Sequence, residues 1–396
     1  MQFIERDVFD HGETGACSSQ AALGSVLPIT ATPLNASCTI LASNHCTDAA
    51  GACIMAATQP QWYDFPKIDW ETLFHPNFSY HYFRQPIALP QPGETRSPSD
   101  LCTPLTAAWI ADAAMLAYGG IGKDRMDLLA FDELLDSVKL RGHRIGNWGP
   151  DVRSVKALFA YNPDFAVLAF RGTKSVNWLN SAVDLAAFAV KEESLDVGSA
   201  AVSDGEAAKP TAGQQILVHA GFQLAFNTQW EDIDYCLQSY RAKFPLSPIF
   251  FTGHSMGAAF ATMAIARFKG GRAALYTFGS PRVGNRAFCQ EVHSKADLGV
   301  YRFVNNSDLM TAVPPQEKSF EHTRGLMQIH PDGNVEACCE PVESRSLAGI
   351  EEVLRYAAVA LKDYVEKLPP PEALMDHAQR RYCYYLWRWA RHGQVP

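Results

Sequence analysis

The feature that most constrains this chain is a serine flanked by glycines, Gly253-His254-Ser255-Met256-Gly257, at the junction of two different patterns. The run Pro248 to Thr252 (PIFFT) is apolar and predicts a buried strand before it. Apolar residues at helical spacing from Met256 to Arg267 predict a helix after it. A strand, a sharp turn and a helix in this order are typical of layered α/β structures.

The same alternation of short apolar runs and helical patterns continues along the chain. Thr103-Pro104 predicts the start of a helix that runs to Tyr118, since Thr is a good N-cap and Pro suits the first helical position. Further buried strands are predicted at 165–170, 273–278 and 300–304, and one long helix is predicted from Phe222 to Tyr240. This order predicts an α/β fold with a mostly parallel central sheet and helices on both faces.

Composition divides the chain into two parts. Residues 1 to 100 are rich in Ala, Ser, Thr, Pro and Cys without sustained periodicity, which predicts an irregular N-terminal extension. Residues 101–396 carry the patterned elements and predict the folded domain. Within it, residues 191–213 are small, polar and acidic, and we expect a mobile loop there.

Several functional classes are disfavoured by composition. The net charge of −8 argues against a nucleic-acid partner, which needs a basic face. The sequence shows no metal-ligand spacing and no phosphate-binding glycine loop, so we expect no metal and no cofactor. No apolar run is long enough for a transmembrane segment.

The amino terminus and the cysteines bear on the cellular compartment. The first residues lack a basic start followed by an apolar run, so no standard secretory signal is expected. This favours a cytoplasmic protein or export by a route that needs no signal. The ten cysteines contain no Cys-x-x-Cys pair, which favours reduced thiols over disulfides.

Ser255 is the candidate nucleophile, because a serine on a strained turn between strand and helix is exposed for reaction. The alternative is an ordinary turn serine. A serine hydroxyl needs a histidine to accept its proton and a carboxylate to orient that histidine. Asp308 follows the predicted strand 300–304, at the sheet edge where Ser255 is expected, and is the candidate acid. Its alternative role is that of an Asx-turn residue.

Four histidines follow Asp308, and His377 is the candidate base because it opens the last helical stretch behind the apolar pair Leu374-Met375. The other three are His322 and His330, in an apparent strand pair, and His392 near the chain end. Oxyanion donors are expected from the N–H of Met256 and from the segment Arg171-Gly172-Thr173, where Thr173 can add its hydroxyl.

From about residue 101 to 391 the chain resembles the class 3 (fungal-type) triacylglycerol lipases, which are α/β hydrolases. The resemblance rests on motifs in a fixed order: AFRGT (169–173), NW (177–178), VHAGF (218–222), GHSMG, YTFGSPRVGN (276–285), YRFVNNSDLMTAVPP (301–315), FEHTRG (320–325) and DHAQRRY (376–382). It implies the triad Ser255, Asp308 and His377, the oxyanion donors Thr173 and Met256, and a non-triad role for His322. It also implies a lipid or ester substrate, met at a lipid–water interface.

The resemblance further implies a lid, about residues 174–213, over the active site. An apolar stripe that includes Trp178, Leu185 and Phe188 fits this expectation. A fixed surface helix is the alternative. Asp184 lies further from the NW pair than the family's acid does, so its part in orienting Thr173 stays open.

Other functions remain open on the same machinery. A phospholipase or a short-chain carboxylesterase would use the same groups, and a catalytically silent binding module on this fold is a remote alternative. Acyl chain length, headgroup and oligomeric state are not determined by the sequence. The basic, aromatic stretch Arg380 to Arg391 predicts a final helix docked on the domain rather than an interfacial one, because Tyr382, Tyr385 and Trp389 share a face.

Overall fold

The structure is a computed structural model of the chain, and it describes residues 65–69, 72–73, 76, 80–87, 102–119, 128–146, 156–172, 192–194, 215–314, 320–338, 370 and 372–392. These residues all belong to one compact unit, Trp62–Pro396. Among the helices described, none is both long and apolar enough to cross a membrane.

The centre of the described part is an eight-stranded mixed sheet in the order β1-β2-β3-β6-β7-β8-β9-β10. The five strands β3, β6, β7, β8 and β9 run parallel, and antiparallel strands flank them on both sides. The strands are β1 (Arg141–Ile145), β2 (Ala157–Tyr161), β3 (Ala166–Phe170), β6 (Ile249–His254), β7 (Ala273–Phe278), β8 (Val300–Asn305), β9 (Leu326–Ile329) and β10 (Val335–Cys338). The prediction of a mostly parallel α/β sheet is confirmed.

Helices follow the strands in the alternating order that the sequence pattern predicts. The described helices are α1 (Pro104–Leu116), α2 (Leu128–Ser137), α3 (Ala220–Asn227), α4 (Trp230–Lys243), α5 (Met256–Arg267), α6 (Arg286–Lys295), α7 (Glu372–Met375) and α8 (Gln379–His392). A short 3₁₀ helix, Leu309–Ala312, follows β8.

The central strands are buried on both faces, which explains their continuous apolar sequences. Phe250 packs edge-to-face on Tyr276 within the cluster that contains α1 and α8, with ring centroids 5.9 Å apart. The next residue, Phe251, contacts Phe268 at the end of α5, with centroids 5.4 Å apart. Because side chains alternate along a strand, these contacts place α1 and α8 on one face and α5 on the other.

Helix α1 begins where its sequence predicts. The side chain of Thr103 accepts a hydrogen bond from the N–H of Thr106 over 3.1 Å, and Pro104 occupies the first helical position. Such a cap stabilises a helix by about 1 kcal/mol. Every residue from Thr106 to Leu116 is buried, so α1 is a core helix rather than an amphipathic surface helix.

Two sequence predictions about secondary structure are wrong, and a third is contradicted at three residues. The long helix expected from Phe222 to Tyr240 is two helices, α3 and α4, separated at Thr228-Gln229. Both helices bury an apolar face, so the continuous apolar spacing hid the break between them. The strand pair expected around His322 and His330 is reduced to β9, which lies between these two histidines.

The third correction concerns the expected mobile loop at 191–213. The backbone of β4 (Glu192–Ser194) pairs antiparallel with β5 (Leu217–His219), so these three residues form a strand. The remaining residues of that segment lie outside the described part of the chain. The polar composition of the segment suggested a loop and gave no sign of the pairing between β4 and β5.

A segment before α1 is tied to the core by a buried carboxylate. Asp112, on α1, accepts hydrogen bonds from the hydroxyl of Tyr80 (2.6 Å), the N–H of Phe83 (2.6 Å) and the indole of Trp387 (3.0 Å). Phe83 stacks on Trp109 at a centroid distance of 4.1 Å. Phe83 is therefore part of the core cluster, and Tyr80, Tyr82 and Ile87 pack against that cluster.

Candidate active site

Ser255 lies on a tight turn between the end of β6 and the start of α5. Its backbone has φ 59° and ψ −130°, a region that side-chain-bearing residues rarely occupy. The N–H of Ser255 donates to the carbonyl of Phe278 on β7 over 3.0 Å, which anchors the turn to the neighbouring strand. The strain at this position is held by the structure around it, as is common at functional sites.

The glycines on either side of Ser255 are required by close packing. A Cβ on Gly253 would overlap the carbonyl of Gly257, and a Cβ on Gly257 would overlap the carbonyl of Phe170 at the end of β3. The turn therefore fits only if both positions lack a side chain. This explains physically why the motif has glycine at both ends.

Asp308 and His377 form a buried pair at the same edge of the sheet. Nδ1 of His377 lies 2.9 Å from each carboxylate oxygen of Asp308, and both side chains are almost completely buried. Asp308 follows β8, whereas His377 lies in the turn between α7 and α8. The ring of His377 also packs on His254, the residue before Ser255, with centroids 4.4 Å apart. The structure thus brings the three predicted catalytic residues to one region.

Asp308 accepts two further hydrogen bonds. The N–H of Met310 donates to Oδ1 over 2.9 Å, and the hydroxyl of Tyr382 donates to Oδ2 over 2.6 Å. Tyr382 in turn accepts from the N–H of Asn305 over 3.0 Å. Burial and the nearby Asp308 raise the pKa of Tyr382 well above its ordinary value, so the phenol keeps its proton. The sequence analysis placed Tyr382 only on the docked face of the last helix and gave it no part in the site.

Gly279 makes room for this pair. It has φ +57°, and a Cβ there would lie 2.5 Å from Oδ2 of Asp308 and 2.8 Å from Nδ1 of His377. Both distances are shorter than any real contact of this kind, so residue 279 has to be glycine if the pair is to keep its geometry. The sequence shows this residue only as part of the run YTFGSPRVGN.

Asp376 ties the loop of His377 to the loop of Asp308. Its Oδ2 accepts from the side chain of Asn306 (2.9 Å) and the N–H of Ser307 (3.3 Å), and its Oδ1 accepts from Arg381 (2.8 Å). Burial raises the pKa of Asp376, and the guanidinium of Arg381 opposes that rise. This contact was also missed from the sequence, because it joins residues about seventy positions apart.

The expected oxyanion donors are described only in part. Met256 is the first residue of α5, so its N–H lies at the positive end of the helix dipole, next to Ser255. Thr173 lies outside the described residues. The preceding residue, Gly172, runs so close to the turn that a Cβ there would lie 2.8 Å from the carbonyl of His254. The lid residues Trp178, Leu185 and Phe188 also lie outside the described residues.

The other candidate histidines lie elsewhere. Nε2 of His322 is 2.7 Å from the carbonyl of Thr311, and burial together with Arg302 and Arg282 lowers the pKa of His322 well below its ordinary value. His330 lies 3.2 Å from Glu336 at the surface, and His392 is the last residue of α8. None of the three has a recorded contact with Asp308.

A serine on a strained turn between a parallel strand and a helix, with an Asp–His pair at the same edge of the sheet, is the arrangement that characterises the α/β-hydrolase fold. Residues 167–318 match the family described as Lipase (class 3). The resemblance to the class 3 lipases is thereby confirmed over these residues.

Two curated relatives and one solved structure are similar to parts of this chain. A secreted mono- and diacylglycerol lipase of Malassezia restricta is 29% identical over 140 residues, which are 34% of this chain and 47% of the relative. A secreted mono- and diacylglycerol lipase of Malassezia globosa is 30% identical over 143 residues, which are 35% of this chain and 46% of the relative. The crystal structure of the Lip2 lipase from Yarrowia lipolytica is 20% identical with a TM-score of 0.48, covering 63% of this chain and 88% of that one. The chain spans about half the length of the curated relatives it matches.

Proposed function

We propose that this chain hydrolyses carboxylic esters of lipids through an acyl-enzyme on Ser255. The observation that carries the proposal is the buried contact of His377 with Asp308, 2.9 Å, beside the strained turn of Ser255. A neutral serine is a weak nucleophile, and an oriented histidine is what activates it. The family match of residues 167–318 supports the same chemistry.

Each residue has a defined part in the proposed reaction. Asp308 holds Nδ1 of His377, so Nε2 is the nitrogen that takes the proton from the Ser255 hydroxyl. The serine oxygen then attacks the ester carbonyl, and the N–H of Met256 and the Thr173 segment stabilise the oxyanion. His377 returns the proton to the leaving alcohol. Water, deprotonated by His377 in the same way, then attacks the acyl-enzyme and releases the carboxylic acid and free Ser255.

The proposed substrates are acylglycerols. The two relatives from Malassezia are named as mono- and diacylglycerol lipases. The matched segment of this chain covers about half of each of them. The same triad can cleave any acyl ester, so the headgroup preference of this chain depends on the shape of its substrate pocket.

The test compares substrates and a nucleophile variant. The purified chain is offered p-nitrophenyl esters from short to long chain, emulsified mono-, di- and triacylglycerols, and phospholipid. Ser255→Ala should fold normally and lose about a millionfold in kcat. An organophosphonate should label the wild-type chain at Ser255 alone. Equal turnover by Ser255→Ala, or a label mapped elsewhere, would falsify the proposal.

We further propose that residues 174–213 form a lid whose apolar residues Trp178, Leu185 and Phe188 open at a lipid surface. Opening exposes apolar area, which is favourable only where an interface can cover it. Converting Trp178 and Phe188 together to Ser should reduce activation by an emulsion and spare soluble short esters. Equal loss of both activities would indicate a packed structural helix instead.

A further inference from the structure

Two buried side chains donate hydrogen bonds to consecutive carbonyls in the loop that carries His377. Nε2 of His254 lies 2.6 Å from the carbonyl oxygen of His377. Nδ2 of Asn305 donates to the carbonyl oxygen of Asp376 over 2.8 Å. His254 ends β6 and Asn305 ends β8. The strand before Ser255 and the strand before Asp308 therefore each supply one donor to the same loop.

The partners of His254 determine its tautomer. A carbonyl oxygen only accepts, so Nε2 of His254 carries the hydrogen. Burial, and after it the neighbouring His377, lower the pKa of His254 well below its ordinary value, so the ring is neutral. Nδ1 is then an acceptor, and the hydroxyl of Tyr118 donates to it over 2.6 Å. This second hydrogen bond holds the ring in the orientation that places Nε2–H at the loop.

The side chains of Asp376 and His377 attach the loop to the segment around Asp308, and main-chain bonds close its turn. His377 lies between α7 and α8, where its own N–H bonds to Leu374 over 3.2 Å and the next N–H bonds to Met375 over 3.1 Å. Those bonds hold the turn together but do not attach it to the sheet. The bonds from His254 and Asn305 attach it to the two strands that carry Ser255 and Asp308.

We propose that His254 and Asn305 are positioning residues that hold the main chain of His377 so that its imidazole meets Ser255 and Asp308 together. The inference rests on the proposed ester hydrolysis. A misplacement of about 1 Å in a catalytic group can reduce turnover a hundredfold. Loss of either donor therefore acts on the rate of the chemical step rather than on substrate binding.

The net contribution of Asn305 to stability is small, so a purely structural role does not explain this residue. Its Oδ1 is buried and has no hydrogen-bond partner among the described residues. A buried acceptor without a partner reduces the free energy of unfolding and offsets what the Nδ2 bond contributes. Replacing Asn305 with Leu thus removes a favourable and an unfavourable interaction together. The folded state should tolerate this change even though the loop loses its attachment.

The experiment measures kcat and KM on a soluble short-chain p-nitrophenyl ester, with the melting temperature of each variant. His254→Leu and Asn305→Leu should each lower kcat by ten- to a hundredfold with KM within twofold. His254→Gln keeps an N–H donor at similar reach and should recover most of the loss. Tyr118→Phe, which removes the hydrogen bond that orients the His254 ring, should lower kcat about fivefold. Thr252→Val is the matched control, since Thr252 is equally buried on β6 and its hydroxyl has no described partner.

The double variant His254→Leu/Asn305→Leu adds a sharper test. Because both donors hold one loop, the combined loss should be smaller than the product of the single losses. The inference is overturned if Asn305→Leu and Tyr118→Phe both match Thr252→Val in kcat, even where His254→Leu fails to fold. A wild-type chain inactive on every ester would instead contradict the proposed function itself, and the inference with it.

Discussion

The hydroxyl of Tyr382 donates a 2.6 Å hydrogen bond to Oδ2 of Asp308, the same carboxylate that meets Nδ1 of His377. Tyr382 is buried on α8, seventy-four residues along the chain from Asp308. With the N–H of Met310 and the imidazole, this phenol completes the set of donors recorded around the carboxylate. Tyr382 therefore orients the proposed catalytic acid directly.

Tyr382→Phe should reduce both rate and stability. A hydrogen bond to a charged group contributes about 1.5–3 kcal/mol, and the N–H of Asn305 also loses its acceptor. We expect unfolding free energy to fall by that amount in a urea titration and kcat to fall about tenfold, because Asp308 keeps two donors. Tyr385→Phe on the same helix, whose ring contacts Phe65, is the control and should change neither quantity appreciably.

Gly279→Ala should separate Asp308 from His377. The new Cβ would lie within 3 Å of both side chains, and the backbone at φ +57° disfavours any residue with a Cβ. We expect kcat to drop about a hundredfold or more and stability to fall by about 1–3 kcal/mol. Gly271→Ala should be nearly silent, because its Cβ meets only ordinary contact, 3.6 Å from Asp297. Wild-type kcat for the Gly279 variant would show that the pair tolerates displacement.

Replacing His377 and replacing His322 should have different effects. His377→Ala should reduce turnover to the level of Ser255→Ala, about a millionfold, with little loss of folding. His322→Ala removes a ring that bonds to Thr311, so its effect should be a lower melting temperature with kcat within a few fold. Reversed phenotypes would mean that His322 is the base and that the assignment of the carboxyl-terminal loop is wrong.

Asp112 should make stability depend on pH between about 4 and 6. Burial raises the pKa of Asp112 from its ordinary 3.8 to about 6, against the nearby Arg84 and the hydrogen bonds from Tyr80 and Trp387. The folded state binds the Asp112 proton more tightly than the unfolded state does. This tighter binding adds to the free energy of unfolding, and the addition is complete below the unfolded pKa. It is lost as pH rises through 6, at a cost of about 3 kcal/mol.

The measurement compares urea unfolding of wild type and Asp112→Asn from pH 4 to pH 7. Asn does not titrate. Any difference in packing or hydrogen bonding between the two proteins therefore changes the free energy of unfolding by the same amount at every pH. The free energy of unfolding of the variant should gain on wild type by up to about 3 kcal/mol across the range. Parallel curves would show that the folded state does not shift the pKa of Asp112.

Much of this architecture was predictable, because the signals are local. The repeat of apolar residues distinguishes β6 from α5, and the glycines of GHSMG are required within five residues of one another. The order Ser255, Asp308, His377 follows from motifs that the chain displays in sequence. The helix break at Thr228-Gln229 escaped prediction, because apolar spacing continues on both sides of it.

What the sequence by itself determined is the set of elements and the chemical groups at their ends. Only the tertiary structure decided how those groups meet. The contacts of Tyr382 with Asp308, and of His254 and Asn305 with the His377 loop, join residues separated by 71 to 123 positions. No local pattern encodes such a contact, because a hydrogen bond depends on positions to within tenths of an ångström that arise only when the sheet and α8 pack together.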